Sequence, residues 1–267
     1  MRYVVDHDLH IHSNLSTCSR SLEQTPERIA QYAVDAGLKT ICLTDHFWDE
    51  TVPGASSWYA PQDFPHIRSS MPLPQPEGVK FLFGCETELD KDLTLGISRE
   101  RMDVMDFIII PTTHFHMQFT LTDQERQDAA GRISAWLRRL DGVLRMDLPF
   151  HKVGLAHLTC KLIQRDQEEY LKILAALPEQ EMVDLFQRAA KLGVGIELNA
   201  SDIQSAEGAE EIALRPYRIA KECGCKFYMG SDSHTPTGFL GAIERFEHAV
   251  TVLDLIEDDK FIPRRNA

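Results

Sequence analysis

The chain has 267 residues, of which 43% are hydrophobic and 26% charged, a size and composition typical of one large globular α/β domain. Its formal net charge of −13 opposes binding to a polyanion, so extended nucleic acid is a poor candidate partner. No apolar run approaches the roughly 20 residues that a membrane span needs, and the start lacks the apolar core of a signal peptide. We therefore expect one domain over residues 1–267, located in the cytoplasm and without membrane contact.

Apolar segments alternate with amphipathic ones along the chain. Helices are predicted over 26–37, 123–140, 164–176, 178–192, 209–223 and 239–257, where Thr25 caps the first and a capping box from Thr122 to Glu125 opens the second. Most predicted strands are continuous apolar runs, as in parallel sheets covered on both faces. The strands are predicted over 3–12, 40–46, 79–88, 107–113, 153–159, 194–200 and 226–232.

Histidines and carboxylates stand at the ends of these strands. His10 and His12 alternate along the first strand, so both imidazoles point to one face, and imidazole is the commonest protein metal ligand. Other residues of metal-ligating type follow later predicted strands: His46, Glu86, His114, His157, Asp232 and His234. Only a closed or nearly closed barrel brings so many strand ends around one point. The sequence therefore predicts a seven-stranded, α/β TIM-like barrel, with an open doubly wound sheet as the alternative.

Residues 47–78 form a long segment without clear periodicity. It contains Trp48, Trp58, Tyr59 and the proline-rich stretch Pro72-Leu-Pro-Gln-Pro76. A long loop at the catalytic end of a barrel is usually a lid or a specificity element. The alternative is an arm packed along the barrel wall, and the aromatic group either lines the pocket or fastens the loop.

The chain resembles the polymerase and histidinol phosphatase (PHP) superfamily of metal-dependent phosphoesterases. The resemblance rests on an ordered set of motifs that spans about residues 3–242: Asp8-Leu-His-Ile-His12, Gly37-Leu-Lys-Thr-Ile-Cys-Leu-Thr-Asp-His46, Gly84-Cys-Glu86, Ile110-Pro-Thr-Thr-His114, Gly154-Leu-Ala-His157, Ile196-Glu-Leu-Asn199 and Gly230-Ser-Asp-Ser-His234. It implies a distorted seven-stranded (β/α)7 barrel that holds a cluster of three metal ions.

The resemblance also implies a ligand for each ion. His10, His12, Glu86 and Asp232 would bind the first, and Glu86 would bridge to a second held by His114 and His157. The third would be held by His46 and His234. Many members complete this third site with a histidine where this chain has Cys18, whose thiolate is itself a competent ligand. We expect two to three divalent ions, with Zn, Fe and Mn all compatible with these donors.

Further roles are assigned to residues near these ligands. Asp8, Asp45 and Glu197 are candidates to orient the ligand imidazoles, since metal-bound histidine usually donates its other N–H to a carboxylate. Asp232 and His234 are expected to act in catalysis as ligands, and His116, on the same predicted strand face as His114, is a candidate proton donor to the leaving alkoxide. Arg20 and Asn199 are candidates for substrate binding. Glu197 as a simple salt-bridged strand end, and His116 or Arg20 as surface residues, are the alternatives.

Three functions remain open at this point. The favoured one is hydrolysis of a small phosphate monoester by metal-activated water, similar to histidinol phosphatase. A phosphodiesterase acting on a nucleotide or cyclic phosphate would use the same ligands, and a non-catalytic, metal-stabilised module is the third possibility. A metal-dependent amidohydrolase also uses His-x-His on a barrel, but the motif Thr44-Asp-His46 and the lack of lysine after the fourth strand oppose it.

Overall fold

The computed structural model describes residues 1–19, 21–203 and 209–264. Its strands form one sheet in which all paired neighbours run parallel. Both β2 and β3 pair with β4 and form two halves of one strand, so the sheet has seven strand positions. The strands are β1 (His7–Ile11), β2 (Thr40–Leu43), β3 (His46–Phe47), β4 (Lys80–Thr87), β5 (Phe107–Pro111), β6 (Val153–Ala156), β7 (Gly195–Asn199) and β8 (Lys226–Gly230).

The sheet nearly closes into a barrel. Strand order follows chain order from β1 to β8. The residues that follow β8 form backbone hydrogen bonds with the end of β1. At this seam the His12 N–H donates to the carbonyl of Ser233 at 3.0 Å and the Asp232 N–H to that of His10 at 2.7 Å. The predicted (β/α)7 barrel is confirmed. The doubly wound alternative is wrong, because that fold requires a reversal of strand order.

Aromatic rings fill the barrel interior at the end opposite the predicted site. The rings of Phe107 and Tyr228 meet edge to face with centroids 5.1 Å apart, and Phe261, from the C-terminal segment, packs against both. A Cβ added at Gly154 would lie 2.6 Å from atoms of Phe107 and Tyr228, so only glycine leaves room for these rings. This packed floor leaves the carboxyl ends of the strands as the open end of the barrel.

Eight α-helices are present in the described ranges, and none is long and apolar enough to cross a membrane. At the start of the first helix, the Thr25 hydroxyl accepts from the Arg28 N–H, as predicted. The helices are α1 (Pro26–Asp35), α2 (Phe64–Arg68), α3 (Arg99–Val104), α4 (Ala129–Arg145), α5 (Gln167–Ala175), α6 (Glu179–Leu192), α7 (Glu210–Glu222) and α8 (Ala242–Val252). The sequence did not predict α2 and α3, which are too short for a clear 3.6-residue period.

The helix predicted over 123–140 begins later than expected. The Thr122–Glu125 capping box does form, with the Thr122 N–H 2.9 Å from Glu125 Oε2, but it closes an isolated turn. The helix itself starts after Asp128, whose side chain accepts from the Gly131 N–H at 2.8 Å. Glu125 instead pairs with Arg138 of α4 at 2.6 Å, so the turn packs beside the helix rather than continuing it.

The segment 47–78 is neither a structureless lid nor only a wall-packed arm. Trp48 and Tyr59 are buried, and the Tyr59 ring lies 5.7 Å from that of Phe119, so these aromatics fasten the segment to the barrel. Trp58 is half-buried and faces the open end of the barrel. The two roles proposed for the aromatic group are thus divided between neighbouring residues.

Candidate metal centre

The strands end earlier than predicted, so most candidate ligands stand in the loops that leave them. β5 ends at Pro111, three residues before His114, and β6 ends immediately before His157. The ligand atoms nevertheless converge, within 4.8 Å of one another in each of three overlapping groups. These groups are His10, His12 and Glu86; Glu86, His114 and His157; and His12, His46 and His234.

Glu86 lies at the centre of the cluster, with its two carboxylate oxygens facing different histidines. Oε2 lies 2.9 Å from His46 Nδ1 and 3.3 Å from His12 Nε2. Oε1 lies 3.2 Å from His157 Nε2 and 3.8 Å from His114 Nε2. The side chain is fully buried. This geometry fits a carboxylate that bridges two cations.

Asp232 closes the cluster from the residues after β8. Its Oδ1 lies 3.2 Å from His12 Nε2 and 3.5 Å from His10 Nε2, and its Oδ2 lies 3.8 Å from His157 Nε2. The backbone φ angles of Asp232 and His157 are +52° and +62°. Non-glycine residues seldom adopt this left-handed region, and such strain is concentrated at functional sites. Two candidate ligands are therefore held in place at a conformational cost.

Charge within the cluster is strongly coupled. Burial alone would raise the pKa of Glu86, but the imidazoles of His46 and His10 hold it well below its ordinary value. Burial would lower the pKa of His10, yet the carboxylates of Glu197 and Asp232 raise it well above normal. At His234 burial dominates, reinforced by His12, and the pKa falls to about 3. The unprotonated His234 is free to donate its lone pair to a metal.

Carboxylates behind the cluster orient two of the histidines. Glu197 Oε1 lies 2.5 Å from His10 Nδ1, and its Oε2 accepts from the His157 N–H at 3.1 Å. Glu88 Oε2 lies 2.8 Å from His114 Nδ1, and Arg139, also fully buried, donates to Glu88 Oε1 at 2.7 Å. In both histidines Nδ1 is held by a carboxylate, which leaves Nε2 to face the centre of the cluster.

Sequence reasoning missed Glu88, Arg139 and Ser16. A signal for Glu88 existed, because it follows Glu86 at the two-residue period of a strand and so shares its face. Ser16 Oγ lies 2.9 Å from His12 Nδ1 and donates to Asp45 Oδ1 at 2.7 Å. Asp45 therefore reaches a ligand histidine through Ser16 rather than directly. Arg139 gave no signal, since nothing in an amphipathic helix distinguishes an arginine that turns inward.

Asp8 and Asn199 do not occupy the positions expected of them. Asp8 Oδ1 accepts from the Ser231 N–H at 2.9 Å and Oδ2 from the Tyr32 hydroxyl at 3.2 Å, so Asp8 ties β1 to the end of β8 rather than orienting an imidazole. Asn199 is fully buried, with its amide nitrogen 3.3 Å from His157 Nδ1 and its oxygen accepting from the Ser201 N–H. It stands behind a candidate ligand and not in the cavity.

Three predicted site residues remain to be placed, His116, Cys18 and Arg20. His116 is exposed in the loop after β5 and not on a strand face with His114. Partial desolvation, together with His114, lowers its pKa to about 4, which favours the neutral imidazole at pH 7. Cys18 lines the cavity as an exposed side chain outside the groups of converging ligand atoms, and partial desolvation, Asp232 and Glu86 raise its pKa to about 12. A thiolate at Cys18 therefore requires a bound cation. Arg20 lies outside the described residues.

The donor set fits divalent metal ions. Among the buried polar atoms of the described ranges, Glu86 Oε2, His46 Nδ1 and His234 Nε2 make no hydrogen bond of acceptable geometry, although the first two lie 2.9 Å apart as an ion pair. A buried polar atom without a partner is costly, and metal coordination removes the cost. All three residues line a cavity of about 220 Å³. Imidazole and carboxylate donors are those that Zn, Fe and Mn accept.

Comparisons with known proteins agree with this site. The family model described as "PHP domain" matches residues 8–201. A protein named probable phosphatase, from Thermoanaerobacter sp. (strain X514), is 28% identical over 95% of this chain and 86% of its own length. Its counterpart from Thermoanaerobacter pseudethanolicus has the same identity and coverage.

Solved structures share the fold at low sequence identity. Histidinol phosphate phosphatase from Lactococcus lactis subsp. lactis Il1403, in complex with zinc, L-histidinol and phosphate, has a TM-score of 0.58 and 17% identity, covering 97% of this chain and 99% of that chain. A chain from Listeria monocytogenes has a TM-score of 0.60 and 12% identity, covering 87% and 96%.

The family match, the barrel and the histidine–carboxylate cluster at its open end define a metal-dependent phosphoesterase, a hydrolase. The chain belongs to the PHP domain family. The matched region ends at residue 201. Asp232 and His234 lie beyond it, and the pairing of β8 with β7 brings them to the cluster.

Proposed function

We propose that this protein hydrolyses small phosphate monoesters with a water molecule activated by two or three divalent metal ions, and that the whole chain forms one catalytic domain. The observation that carries the proposal is the geometry of Glu86, whose two oxygens face separate groups of histidines in one cavity. Glu86 would hold two cations next to each other, and such a pair would supply the chemistry of two-metal hydrolases.

The candidate ligands divide into three proposed sets, one for each ion. His10, His12, Asp232 and Glu86 would hold one ion, and Glu86, His114 and His157 a second. His46 and His234, which converge with His12, would hold a third, and Cys18 on the cavity wall is the proposed additional ligand. When bound, such ions would supply water of lowered pKa as nucleophile and neutralise the phosphate oxygens. Zn, Fe and Mn all suit these donors.

The protein's own residues prepare the site for this chemistry. Glu197 and Glu88 hold His10 and His114 with Nε2 directed inward, so these rings need not reorient on binding. The cavity of about 220 Å³ is smaller than the roughly 300–1,000 Å³ of typical drug-sized ligand sites, which favours a small ester over an oligonucleotide end. The net charge of −13 agrees with this choice of substrate.

The test combines metal analysis with a substrate panel. Purified protein should contain two to three transition-metal ions per chain by elemental analysis. Loaded separately with Zn, Mn and Fe, it should release phosphate from p-nitrophenyl phosphate and glycerol phosphate, and leave bis(p-nitrophenyl) phosphate largely intact. Glu86→Gln should lose both metal and activity, whereas Glu181→Gln, on the exposed face of α6, should retain both.

Two outcomes would contradict the proposal. Less than one ion per chain, with no activity gained on adding Mn or Zn, would exclude the metal-dependent reaction. Faster hydrolysis of the diester than of either monoester would replace the phosphomonoesterase with the phosphodiesterase alternative.

A further inference from the structure

The mouth of the cavity is built from apolar side chains that the proposed reaction does not use. Trp58 comes from segment 47–78, Met117 from the loop after β5, and Leu162 from the loop after β6. Three separate loops therefore contribute one apolar side chain each to the same rim. A half-exposed tryptophan at a cavity mouth leaves a large apolar face in contact with water, which a ligand can cover.

The Trp58 ring is held in a defined orientation. Its centroid lies 4.9 Å from that of His46, edge to face at 68°, and 4.7 Å from that of Tyr59, at 84°. Tyr59 is fully buried, and the Trp58 carbonyl accepts from the Gln62 side chain at 3.1 Å. The indole thus packs against a candidate metal ligand and also lines the cavity, next to where a phosphate would bind.

The carboxylates on the cavity wall lie among the clustered histidines. Among the described residues that line the cavity, the carboxylates are Glu86 and Asp232, and both face the clustered histidines. The described rim therefore offers no acidic side chain to receive an ammonium group of a substrate. A charged amine brought to this rim would lose water without gaining a counter-ion.

We infer that the preferred substrates are phosphate monoesters whose alcohol part carries a flat, uncharged, apolar ring, which packs against Trp58, Met117 and Leu162. This inference rests on the proposed function for its chemistry and adds the class of leaving group. In the reaction, the oxygen of water bonds to phosphorus, the ester P–O bond breaks, and the alcohol departs with a proton from that water. The ring remains outside the cluster throughout, in contact with the rim.

Matched esters isolate the contribution of the ring. 2-Phenylethyl phosphate and ethyl phosphate both release a primary alcohol, so their intrinsic reactivities are similar, whereas L-histidinol phosphate carries an ammonium group. We expect kcat/KM for 2-phenylethyl phosphate to exceed that for each of the other two by roughly tenfold, about 1.4 kcal/mol of transition-state binding. Trp58→Ala should remove the preference over ethyl phosphate, and Trp58→Phe should keep most of it. Leu240→Ala, at an exposed leucine that does not line the cavity, should change nothing.

Binding measurements separate this inference from the proposed reaction. Calorimetry on the metal-loaded protein would compare 3-phenylpropylphosphonate with propylphosphonate, neither of which can be hydrolysed. Tighter binding of the phenyl compound, lost in Trp58→Ala, supports the inference even if no ester is hydrolysed, in which case only the proposed function fails. Equal binding of the two phosphonates, or a preference that survives in Trp58→Ala, overturns the inference even if monoesters are hydrolysed.

Discussion

The guanidinium of Arg139 lies 2.7 Å from Glu88, and the other oxygen of that carboxylate lies 2.8 Å from His114 Nδ1. Arg139 also donates to the carbonyl oxygens of Thr112, at 2.9 Å, and Thr120, at 3.0 Å. A helix on the outside of the barrel thereby fixes both a candidate ligand and the loop that carries it.

Replacing Arg139 by methionine should therefore destabilise the protein. The change leaves Glu88 buried without its partner, and breaking a buried pair in this way costs about 3 to 5 kcal/mol. Arg138→Met is a matched control on the same helix, because Arg138 is 30% exposed and its pair with Glu125 should contribute less than about 1 kcal/mol. Urea unfolding of the two variants measures the free energy of unfolding. Equal losses in the two variants would mean that the buried Arg139–Glu88 pair stabilises the protein no more than the Arg138–Glu125 pair does.

Asp232→Asn should abolish hydrolysis while the fold survives. The amide keeps the side-chain shape but removes a negative charge that faces His12 and His10, so a cation there would be held more weakly. Asp254→Asn is the matched control, since Asp254 also has a positive φ, of +49°, but its side chain is fully exposed. Phosphate release and far-UV circular dichroism report on the two variants. If Asp232→Asn kept more than about a tenth of the activity, a loss below about 1.4 kcal/mol, the site would lie elsewhere.

Substitutions at Cys18 test whether its thiolate is a ligand of the third ion. If its thiolate is a ligand, Cys18→Ser should lower both the metal content and the turnover of a monoester, whereas Cys18→His should largely retain both. The competing account is that His46 and His234 hold this ion with His12 and water, and Cys18 is only a wall residue. Elemental analysis of Cys18→Ser beside the parent separates the two, because unchanged stoichiometry and rate would remove Cys18 from the set of ligands.

Asp6, just before β1, is expected to make a pH-dependent contribution to stability. The hydrogen bond from His7, and then Lys260, lower the pKa of Asp6 to about 2. Because the folded-state pKa lies below the unfolded value, this stabilisation is present above about pH 4 and is lost as the pH falls toward 2. Asp6 is 35% exposed, so we expect the contribution to be below about 1 kcal/mol.

Asp6→Asn should accordingly lower the free energy of unfolding at pH 7 more than at pH 3, as measured by urea titration at both values. Asp35→Asn, near the end of α1, serves as the comparison. A loss for Asp6→Asn that is the same at both pH values would show that the Asp6 charge does not contribute.

Much of the site could be predicted because its chemistry follows the strands. Apolar runs predicted the seven strand positions, and the residue types at their ends predicted a metal cluster, since few other arrangements gather histidines on one rim. The ends of the strands were less predictable. β5 ends at Pro111 and β6 ends at Ala156, and these two residues pair with each other. The end of a strand depends on where its hydrogen bonds to the neighbouring strand end, which the sequence of one strand does not show.

The barrel, the family and the candidate ligands could be predicted from the sequence, because alternating apolar segments and ordered His and Asp motifs are local patterns. The groups that hold those candidate ligands in place became visible only in the folded chain. Arg139 reaches Glu88 across 51 residues of chain, and Glu197 reaches His10 across 187. Such contacts leave no periodic trace in the sequence, because they arise from packing between elements that are distant along the chain.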